Sequence, residues 1–187
     1  MKKIYIKNMV CPRCITAVRD ILDDLDIAYR EIVLGEVTLP KALDVGQKEI
    51  MHQRLEKVGF ALVNDRRSQL IEKMKNLVIE KVHHSREPLE INWSDYISDQ
   101  LHLDYKYLGN LFSSVESITF EQYIIHQKIE RIKELLAYDE MSLKEIAFLL
   151  DYSSVAYLSN QFKKVTGMSP TQFKKGLKHS RRSIDEI

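Results

Sequence analysis

The sequence predicts an α+β chain, in which an amino-terminal domain of element order βαββαβ precedes an all-α domain built from one helical motif used twice. Three observations predict this fold class. Strand and helix patterns alternate over residues 1–65. Residues 92–123 match residues 142–173 at a fixed offset of 50. Both of these copies have the pattern of two helices joined by a tight turn.

Composition and charge are those of an ordinary globular chain. Of the 187 residues, 44% are hydrophobic, and the formal net charge is +1 at pH 7. The basic amino terminus lacks the apolar run of a secretory signal, and no stretch approaches the ~20 apolar residues of a membrane span. Two cysteines without a signal favour a reducing compartment over a disulfide scaffold. We therefore expect a cytoplasmic protein that does not enter a membrane.

Short periodic segments predict the amino-terminal elements in order. Ile4 and Ile6 alternate with polar residues, as in a strand. The apolar positions of the next segment recur at helical spacing, and they are Ile15, Val18, Ile21, Leu22 and Leu25. Two β-rich runs meet at Gly35, which indicates a hairpin, and a second helix ends at Gly59 before a last strand. Residues 1–65 therefore have the ferredoxin-like pattern.

Both cysteines, Cys11 and Cys14, lie in the segment "NMVCPRC" between the first strand and the first helix. Cys11 lies where it could cap that helix, and Pro12 suits the first helical position. A helix amino terminus lowers the pKa of a nearby thiol. Two thiolates suit Cu(I), whereas a structural Zn(II) ion usually takes four ligands.

The Met-x-Cys-x-x-Cys segment, with Gly-Phe before the last strand, resembles the heavy-metal-associated domain of copper chaperones and metal-transporting ATPases. The resemblance covers residues 1–65. It implies that Cys11 and Cys14 bind a soft metal ion, Cu(I) in preference to Zn(II), and that Met9 packs inside. Three positions depart from the family's pattern, and they are Asn8, Val10 and Phe60.

Other interpretations of the cysteine pair stay open. Cys-Pro-Arg-Cys is also a pattern of thiol–disulfide redox motifs. The domain can instead be an oligomerisation or partner-binding scaffold with incidental cysteines. His83 and His84 could complete a metal site, although adjacent histidines at a helix end are more often solvated.

Residues 66–88 connect the two domains as a predicted helix. Its apolar residues share one face, and they are Leu70, Met74, Leu77, Val78 and Val82. We interpret it as the first helix of the following helical domain, with this stripe buried there. A coiled seam between two chains is the alternative, so a homodimer stays open. Pro88 marks the break before the first copy of the repeat.

The repeat is the strongest signal in the chain. Its identical pairs are Tyr107/Tyr157, Leu108/Leu158, Asn110/Asn160, Phe112/Phe162, Val115/Val165 and Gln122/Gln172. A repeat at fixed spacing means one structural unit used twice, and two copies are too few for a solenoid. We assign the paired leucines and phenylalanines to the core.

The second copy shows how each unit is built. Ser142 caps its first helix, with Glu145 at the capping-box position. Asp151 tolerates a left-handed turn. Ser153 is predicted to cap the second helix, and Gly167 to end it. The predicted apolar face of that helix is Val155, Leu158, Phe162 and Val165. Two helices joined by about three residues form the helix-turn-helix, whose second helix enters the major groove of DNA.

A basic segment accompanies the second copy. Residues 152–184 contain no acidic residue, and the basic residues among them are Lys163, Lys164, Lys174, Lys175, Lys178, Arg181 and Arg182. Such a run is ordinarily a solvated tail, but next to a duplicated helix-turn-helix it predicts a phosphate-binding face. The chain shows no acid–base pair, phosphate loop or nucleophile motif, so we expect that it is not an enzyme.

From about residue 66 to residue 182 the chain is similar to the tandem helix-turn-helix domain of the AraC/XylS family of transcription regulators. The segments that carry this resemblance are "SLKEIA", "YLSNQFKK", "TGMSP" and, between the copies, "QKIERIKELLAYDEMS". The turn glycine that the family favours is Asp151 here, and His102 in the first copy. The resemblance implies a DNA-binding domain at residues 89–182, double-stranded DNA as its partner, and a tail at residues 183–187.

The resemblance also places the DNA-facing side chains. In the second recognition helix they are Val155, Ala156, Tyr157, Ser159, Asn160, Lys163 and Lys164, and in the first they are Tyr105, Lys106, Gly109 and Asn110. Asparagine can pair with adenine and small apolar side chains can touch a thymine methyl, while lysines position the protein on phosphates. Tyr157 is as well suited to packing as to DNA contact. Ser113 and Ser114 replace the two lysines in the first copy, so we expect that copy to attract phosphate less.

We therefore expect a sequence-specific DNA-binding transcription regulator that senses a soft metal ion or thiol state through Cys11 and Cys14. A metal-trafficking protein is the competing class. A regulator whose amino-terminal domain is only a scaffold is the other alternative. The duplicated basic motif favours the regulator, because a metal chaperone does not need it.

Overall fold

The computed structural model describes residues 2–63 and 65–180, with side chains in the last helix as far as residue 176. The chain divides into two compact units, Met1–Leu77 and Val78–Ile187. The predicted tail at residues 183–187, together with Arg181 and Arg182, lies outside the described residues. Among the described residues, the helices are too short or too polar to span a membrane.

The first unit has the predicted element order βαββαβ and then continues into a third helix. Its strands are β1 (Lys2–Lys7), β2 (Glu31–Val33), β3 (Glu36–Leu39) and β4 (Ala61–Val63). Its helices are α1 (Pro12–Asp24), α2 (Val45–Lys57) and α3 (Arg66–Ile79). The strands form one antiparallel sheet in the order β2-β3-β1-β4. The fully buried side chains of its core include Ile6, Met9, Val18, Leu22, Val37 and Leu55.

Local signals set the ends of these elements. Gly35 has a φ of 74° between β2 and β3, a left-handed conformation that costs glycine little, and this confirms the predicted hairpin. Pro12 opens α1, as predicted, and Cys11 is the N-cap residue, although its side chain makes no capping hydrogen bond. At α2, Asp44 and Gln47 form a reciprocal capping box.

α3 contributes to both units, whereas its pattern suggested a helix buried wholly in the helical domain. In the first unit, Lys73 Nζ lies 4.9 Å from the ring centre of Tyr5, and Asn76 Nδ2 donates to the carbonyl of Leu34 at 3.2 Å. The residues of the predicted stripe that are buried are Met74, Val78 and Val82. Periodicity shows which face of a helix is buried but not which partner covers it. The domain limits at residues 65 and 88 stay predictions.

Every regular element among the described residues of the second unit is a helix. Glu80–His84 continue α3 as a π-helical turn. The helices that follow are α4 (Trp93–Leu101), α5 (Tyr105–Glu116), α6 (Phe120–Tyr138), α7 (Leu143–Leu149), α8 (Val155–Thr166) and α9 (Pro170–Ser180). α4 and α5 form the first helix-turn-helix motif and α7 and α8 the second. α6 joins the two motifs, so the repeat in the sequence folds as one unit used twice.

The turns of both motifs use a left-handed residue. His102 has a φ of 54° after α4, and Asp151 has a φ of 56° after α7. The left-handed turn predicted at Asp151 is therefore confirmed, and two residues other than glycine accept this conformation. Gly167, with a φ of 81°, ends α8 as predicted.

In the second motif, the predicted N-cap residue is the observed one at α7 but not at α8. Ser142 and Glu145 form the predicted reciprocal capping box at α7. At α8 the N-cap residue is Ser154, whose hydroxyl accepts from the backbone N–H of Tyr157 at 3.1 Å. The predicted cap at Ser153 is wrong by one residue, because two consecutive serines offer the same side chain at adjacent positions.

The duplicated core positions are confirmed, with one exception on the predicted apolar face of α8. The paired core residues Leu108, Leu158, Phe112 and Phe162 are all fully buried. Val165 is 41% exposed, and its counterpart Val115 is 47% exposed. The assignment of Val165 to the apolar face is therefore wrong. Helical spacing defines a stripe but not how far along it the neighbouring helices reach.

Candidate nucleic-acid interface

α8 exposes most of the side chains predicted to face DNA. Its exposed predicted residues are Ala156, Tyr157, Asn160, Lys163 and Lys164, while Val155 and Ser159 are half-buried. Ala156, Asn160 and Lys163 follow each other at spacings of four and three, so they share one face of the helix. An amide that can read a base therefore lies beside side chains that can touch phosphate.

Tyr157 combines the two roles considered for it. Its side chain is 54% exposed, and its ring centre lies 5.9 Å from that of Tyr152 in the turn before α8. One side of the ring is therefore used in packing. The remaining surface of the Tyr157 ring is exposed and could contact DNA.

The positive charge of the recognition helix lies in Lys163 and Lys164. Both side chains are exposed, and within residues 2–63 and 65–180 no ion pair is found for either. Lys174, from the same basic segment, instead pairs with the carboxylate of Asp139. The side chain of Lys178 is not among those described. The predicted basic face is thus smaller in the described residues than the composition suggested.

In the first motif, α5 exposes side chains at positions equivalent to those of α8, but their charges differ. Lys106 and Asn110 are exposed, as predicted. Tyr107 is 52% exposed, like its counterpart Tyr157. The sequence-based site omitted Tyr107, although its identity with Tyr157 was the signal that would have included it.

The two serines that replace the lysines in α5 bond to their own helix. Ser113 Oγ donates to the carbonyl of Gly109 at 2.9 Å, and Ser114 Oγ donates to the carbonyl of Leu111 at 2.7 Å. Serine hydroxyls in a helix commonly make such bonds to preceding carbonyls. Neither side chain brings a charge to this end of α5.

Tyr105, predicted to face DNA, is committed to the joining helix. Its hydroxyl donates to Oε1 of Glu121 at 2.6 Å, and its ring centre lies 6.3 Å from that of Phe120. Burial and the hydrogen bond to Glu121 raise the pKa of Tyr105, and the same bond lowers the pKa of Glu121. Tyr105 therefore ties α5 to α6, and a DNA contact by its hydroxyl would have to replace that bond.

In the first unit, the two thiols lie together at the start of α1. The Sγ atoms of Cys11 and Cys14 are 3.4 Å apart, and both side chains are half-buried. Hydrogen bonds from the thiol and then the backbone N–H of Cys14 lower the pKa of Cys11. Met9 is buried. Asn8, with a φ of 73°, donates its Nδ2 to the carbonyl of Gly59 at 2.9 Å and so anchors the start of the cysteine loop.

The donor set at this loop consists of two soft ligands. In the described part of the chain, no group of three or more His, Cys, Asp or Glu side chains is arranged to hold a metal ion. His83 Nε2 lies 2.9 Å from Oε1 of Gln127, and burial lowers the pKa of this histidine. Two thiols fit a soft ion such as Cu(I) but not the four-ligand shell of a structural Zn(II) site.

Known proteins match the second unit. Residues 97–176 match a family model described as a helix-turn-helix domain. The uncharacterized HTH-type transcriptional regulator YtdP of Bacillus subtilis is 29% identical over 112 residues, which cover 60% of this chain and 14% of that protein. The Msm operon regulatory protein of Streptococcus mutans is 26% identical over 102 residues, which cover 54% of this chain and 36% of that protein. The chain therefore spans well under half the length of these relatives.

Solved structures show the same fold. The C-terminal domain of AraT, a response regulator from Geobacillus stearothermophilus, aligns with a TM-score of 0.51 at 24% identity, covering 60% of this chain and 88% of that chain. A DNA-binding transcriptional dual regulator from Escherichia coli K-12 aligns with a TM-score of 0.50 at 18% identity, covering 63% of this chain and 99% of that chain. The relatives are named as regulators and not as enzymes, as expected from the sequence. Residues 97–176 of this chain thus match a helix-turn-helix domain, and the solved structures share its fold.

Proposed function

We propose that this protein is a sequence-specific DNA-binding transcription regulator in which α8 is the main recognition helix. The observation that carries the proposal is the exposed set of Asn160, Lys163 and Lys164 on the second helix of a helix-turn-helix motif. Asparagine supplies the bidentate amide that reads adenine, and the lysines supply phosphate attraction. The matched relatives, one named as a transcriptional regulator and the other as an operon regulatory protein, support the same function.

The two recognition helices are unequal in this proposal. α5 offers Asn110 and Lys106 but has no charge at Ser113 and Ser114. α8 has lysines at both equivalent positions. Phosphate contacts supply much of the affinity for DNA, so α8 contributes more of it. α8 therefore supplies most of the affinity for DNA, and α5 contributes base contacts or helps to orient the protein on the duplex.

The salt dependence of binding tests this function. The full chain is used to select duplexes from a random pool, and affinity for the enriched site is measured against salt concentration. We expect a log–log slope of about −4 to −7, corresponding to ~5 to 8 neutralised phosphates. Lys163→Ala and Lys164→Ala should each make the slope shallower by about one, because each removes one phosphate contact.

A lysine of the first unit provides the matched control. Lys41 is exposed and lies between β3 and α2. Lys41→Ala removes the same charge from the chain without touching α8, so its slope should equal that of the wild type. The absence of enriched duplexes and of salt-sensitive binding would overturn the proposal.

We further infer that the first unit is a ferredoxin-like domain of the heavy-metal-associated type, in which Cys11 and Cys14 hold a soft metal ion. The antiparallel strand order β2-β3-β1-β4 supports the fold. The Sγ atoms 3.4 Å apart and the lowered pKa of Cys11 support the site. A bound Cu(I) would join the two thiolates at the start of α1, and oxidation of the thiols would compete with it.

The double variant Cys11→Ser, Cys14→Ser tests this site. The wild type should bind about one Cu(I) per chain under reducing conditions, and the variant should bind none while keeping its circular dichroism spectrum. If the ion acts as a signal, it should change DNA affinity by the ~1 to 3 kcal/mol of typical allosteric coupling. No change in DNA affinity would reject the sensing function. No metal binding would reject the site and leave the scaffold interpretation.

The remaining alternatives have their own measurements. A metal-trafficking protein would transfer Cu(I) to an acceptor without salt-sensitive DNA binding, so the two experiments above separate the classes. A homodimer predicts twice the chain mass in sedimentation equilibrium. Loss of dimerisation on deleting residues 1–65 would assign that role to the first unit.

A further inference from the structure

A buried lysine lies on the helix that joins the two motifs. Lys128, in α6, keeps 9% of its surface exposed. Its Nζ lies 5.1 Å from the ring centre of Tyr152 and 5.9 Å from that of Trp93. Trp93 opens α4 of the first motif, whereas Tyr152 follows α7 in the turn of the second. One ammonium group therefore interacts with an aromatic ring of each motif.

The cavity beside Lys128 has a mostly apolar lining, to which Lys81, Glu87 and Asp151 add charged side chains. This cavity, lined also by Leu149 and Leu150, is small, with a volume of about 10 Å³ that has room for about one water molecule. Among the residues that the structure describes, the buried indole N–H of Trp93 has no hydrogen-bond partner. Burial lowers the pKa of Lys128, and the nearby Asp151 opposes that shift. An apolar side chain of similar length would fill this space without losing the hydration of a charge.

The contact with Tyr152 continues into the second recognition helix. The Tyr152 hydroxyl donates to Oε1 of Gln161 at 2.6 Å, and its ring packs on Tyr157. Both partners belong to α8. A chain of direct contacts therefore runs from the first motif through Lys128 and Tyr152 to the recognition helix of the second.

The first motif shows that a helix-turn-helix of this type does not need such a contact for its own fold. Tyr152 directly follows the left-handed Asp151, and the residue that directly follows the left-handed His102 in the first copy is Leu103, which is 39% exposed. Both turns nevertheless adopt the same left-handed conformation, and both motifs bury the same core pairs. A motif with the same fold therefore lacks the contact, which favours a role of Lys128 in the relation between the motifs.

We propose that Lys128 is a positioning residue that sets the orientation of the second recognition helix relative to the first, and with it the spacing at which the two motifs meet DNA. The DNA part rests on the function proposed above. Two linked binding modules gain affinity from each other only when their separation matches the separation of their sites. A cation held between two rings restricts both distance and angle, which an apolar contact does less strictly.

The orientation can be measured without DNA. Ser113 and Lys163 are exposed and occupy equivalent positions on α5 and α8. Spin labels at Ser113→Cys and Lys163→Cys, in a full chain that also carries Cys11→Ser and Cys14→Ser, report the distance between the helices by pulsed dipolar spectroscopy. With Lys128 present we expect one narrow distribution, and with Lys128→Met a broader or shifted one. Lys128→Arg keeps the cation and should retain the narrow distribution.

A matched control lies on the same helix. Lys133 has a side chain that is 32% exposed and pairs with Glu130 one turn away. Lys133→Met makes the same chemical change outside the aromatic contact and should leave the distribution unchanged. An unchanged distribution in Lys128→Met as well would overturn the proposal.

A second pair of variants applies if Lys128→Met does not fold. Tyr152→Leu removes the ring over which the ammonium lies, whereas Tyr152→Phe keeps the ring and removes only the bond to Gln161. The proposal expects a broadened distance distribution for Tyr152→Leu and not for Tyr152→Phe. The opposite result would assign the positioning to the hydroxyl and overturn the role of Lys128.

Spacing on DNA supplies the functional measurement. Inserting one base pair between the parts of the selected site rotates them by about 34°. We expect the wild type to lose about tenfold in affinity on that duplex, and Lys128→Met to lose about threefold or less from its own value on the selected duplex. If Lys128→Met instead binds every duplex more weakly than the wild type by the same factor, whatever the spacing, the role of Lys128 is merely structural and the proposal is overturned. If the wild type binds no duplex, the proposed function fails, while the distance measurement still decides the role of Lys128.

Discussion

The two helix-turn-helix motifs share a fold but differ in charge and in their links to the joining helix. Both have a left-handed residue in the turn, a buried leucine–phenylalanine pair and an exposed tyrosine on the second helix. In the second motif, α8 carries Lys163 and Lys164, and Tyr152 in its turn contacts Lys128. In the first motif, α5 carries two serines, and Tyr105 bonds to Glu121.

This comparison distinguishes the positions that stabilise the fold of a motif from the positions that give each motif its own contacts and charge. Residues identical in both copies, such as Leu108 and Leu158, occupy equivalent buried sites. Of the pairs that differ, Ser113/Lys163 and Ser114/Lys164 lie on the exposed face of the recognition helix, whereas Ile97/Ala147 lie in the core. The two copies can therefore be compared with each other. A feature that is present in only one of them is not required by the fold that both share.

The largest expected effects come from the shared core and test whether the motifs are equally packed. Phe112→Ala and Phe162→Ala should each lower the free energy of unfolding by about 3 to 5 kcal/mol. Phe112→Ala should cost more, because its ring packs on Phe120 at 5.0 Å and Tyr123 at 5.4 Å. Phe162 packs on Phe173 alone among the described aromatic rings, at 5.6 Å. Urea unfolding measures both.

An exposed residue of the same helix controls for the substitution itself. Val115, on α5, is 47% exposed, so Val115→Ala should change the unfolding free energy by no more than about 0.5 kcal/mol. A larger loss for Phe162→Ala than for Phe112→Ala would contradict the comparison of their packing.

Base reading comes next in size. Asn160→Ala should weaken binding to the selected site by ~1 to 3 kcal/mol and change binding to random DNA little, because an amide contact specifies sequence. Asn110→Ala should cost less, since no lysine flanks it at the positions of Ser113 and Ser114. Fluorescence anisotropy on both duplexes measures this. Equal losses would show that the two helices read DNA alike and would break the proposed asymmetry.

The tyrosine hydroxyls distinguish how each motif is tied to its surroundings. Tyr105→Phe and Tyr152→Phe each remove a hydrogen bond of 2.6 Å, and each should cost about 0.5 to 1.5 kcal/mol of stability. Tyr152→Phe should cost more, because Tyr152 is buried and Gln161 would lose its partner, whereas water can reach Glu121. Thermal unfolding provides the measurement, with the exposed Tyr107→Phe as control. A larger loss for Tyr105→Phe would reverse the order.

The smallest effect concerns the cap of α7. Hydrogen bonds from Ser142 lower the pKa of Glu145. A carboxylate whose pKa is lowered by folding stabilises the folded state above its ordinary pKa, and this contribution is lost as the pH falls through the lowered value. Acid should therefore loosen the start of α7 in the wild type but not in Glu145→Gln. A carbon NMR titration of Glu145 measures the pKa, and Ser142→Ala should return it toward its ordinary value. An unshifted pKa in the wild type would contradict the capping box.

Much of the fold could be predicted because its signals are local. The hairpin at Gly35, the left-handed turn at Asp151 and the cap at Ser142 each depend on residues within a few positions along the chain. The candidate site was predicted less completely. Tyr105 has the sequence position of a DNA-facing residue, yet its hydroxyl bonds to Glu121, 16 residues later. Spacing along one helix does not record such a partner.

The element order, the duplicated motif, the paired core and the cysteine loop follow from the amino-acid sequence alone, because periodicity and turn chemistry depend on residues that are neighbours along the chain. The packing of distant segments was needed to show that α3 contributes to both units, that Val165 is exposed and that Lys128 lies near the rings of Trp93 and Tyr152. Each of these depends on which distant segments cover a given face. The free energy gained by burial depends on both of the surfaces that come into contact, whereas a local sequence pattern describes only one of these surfaces.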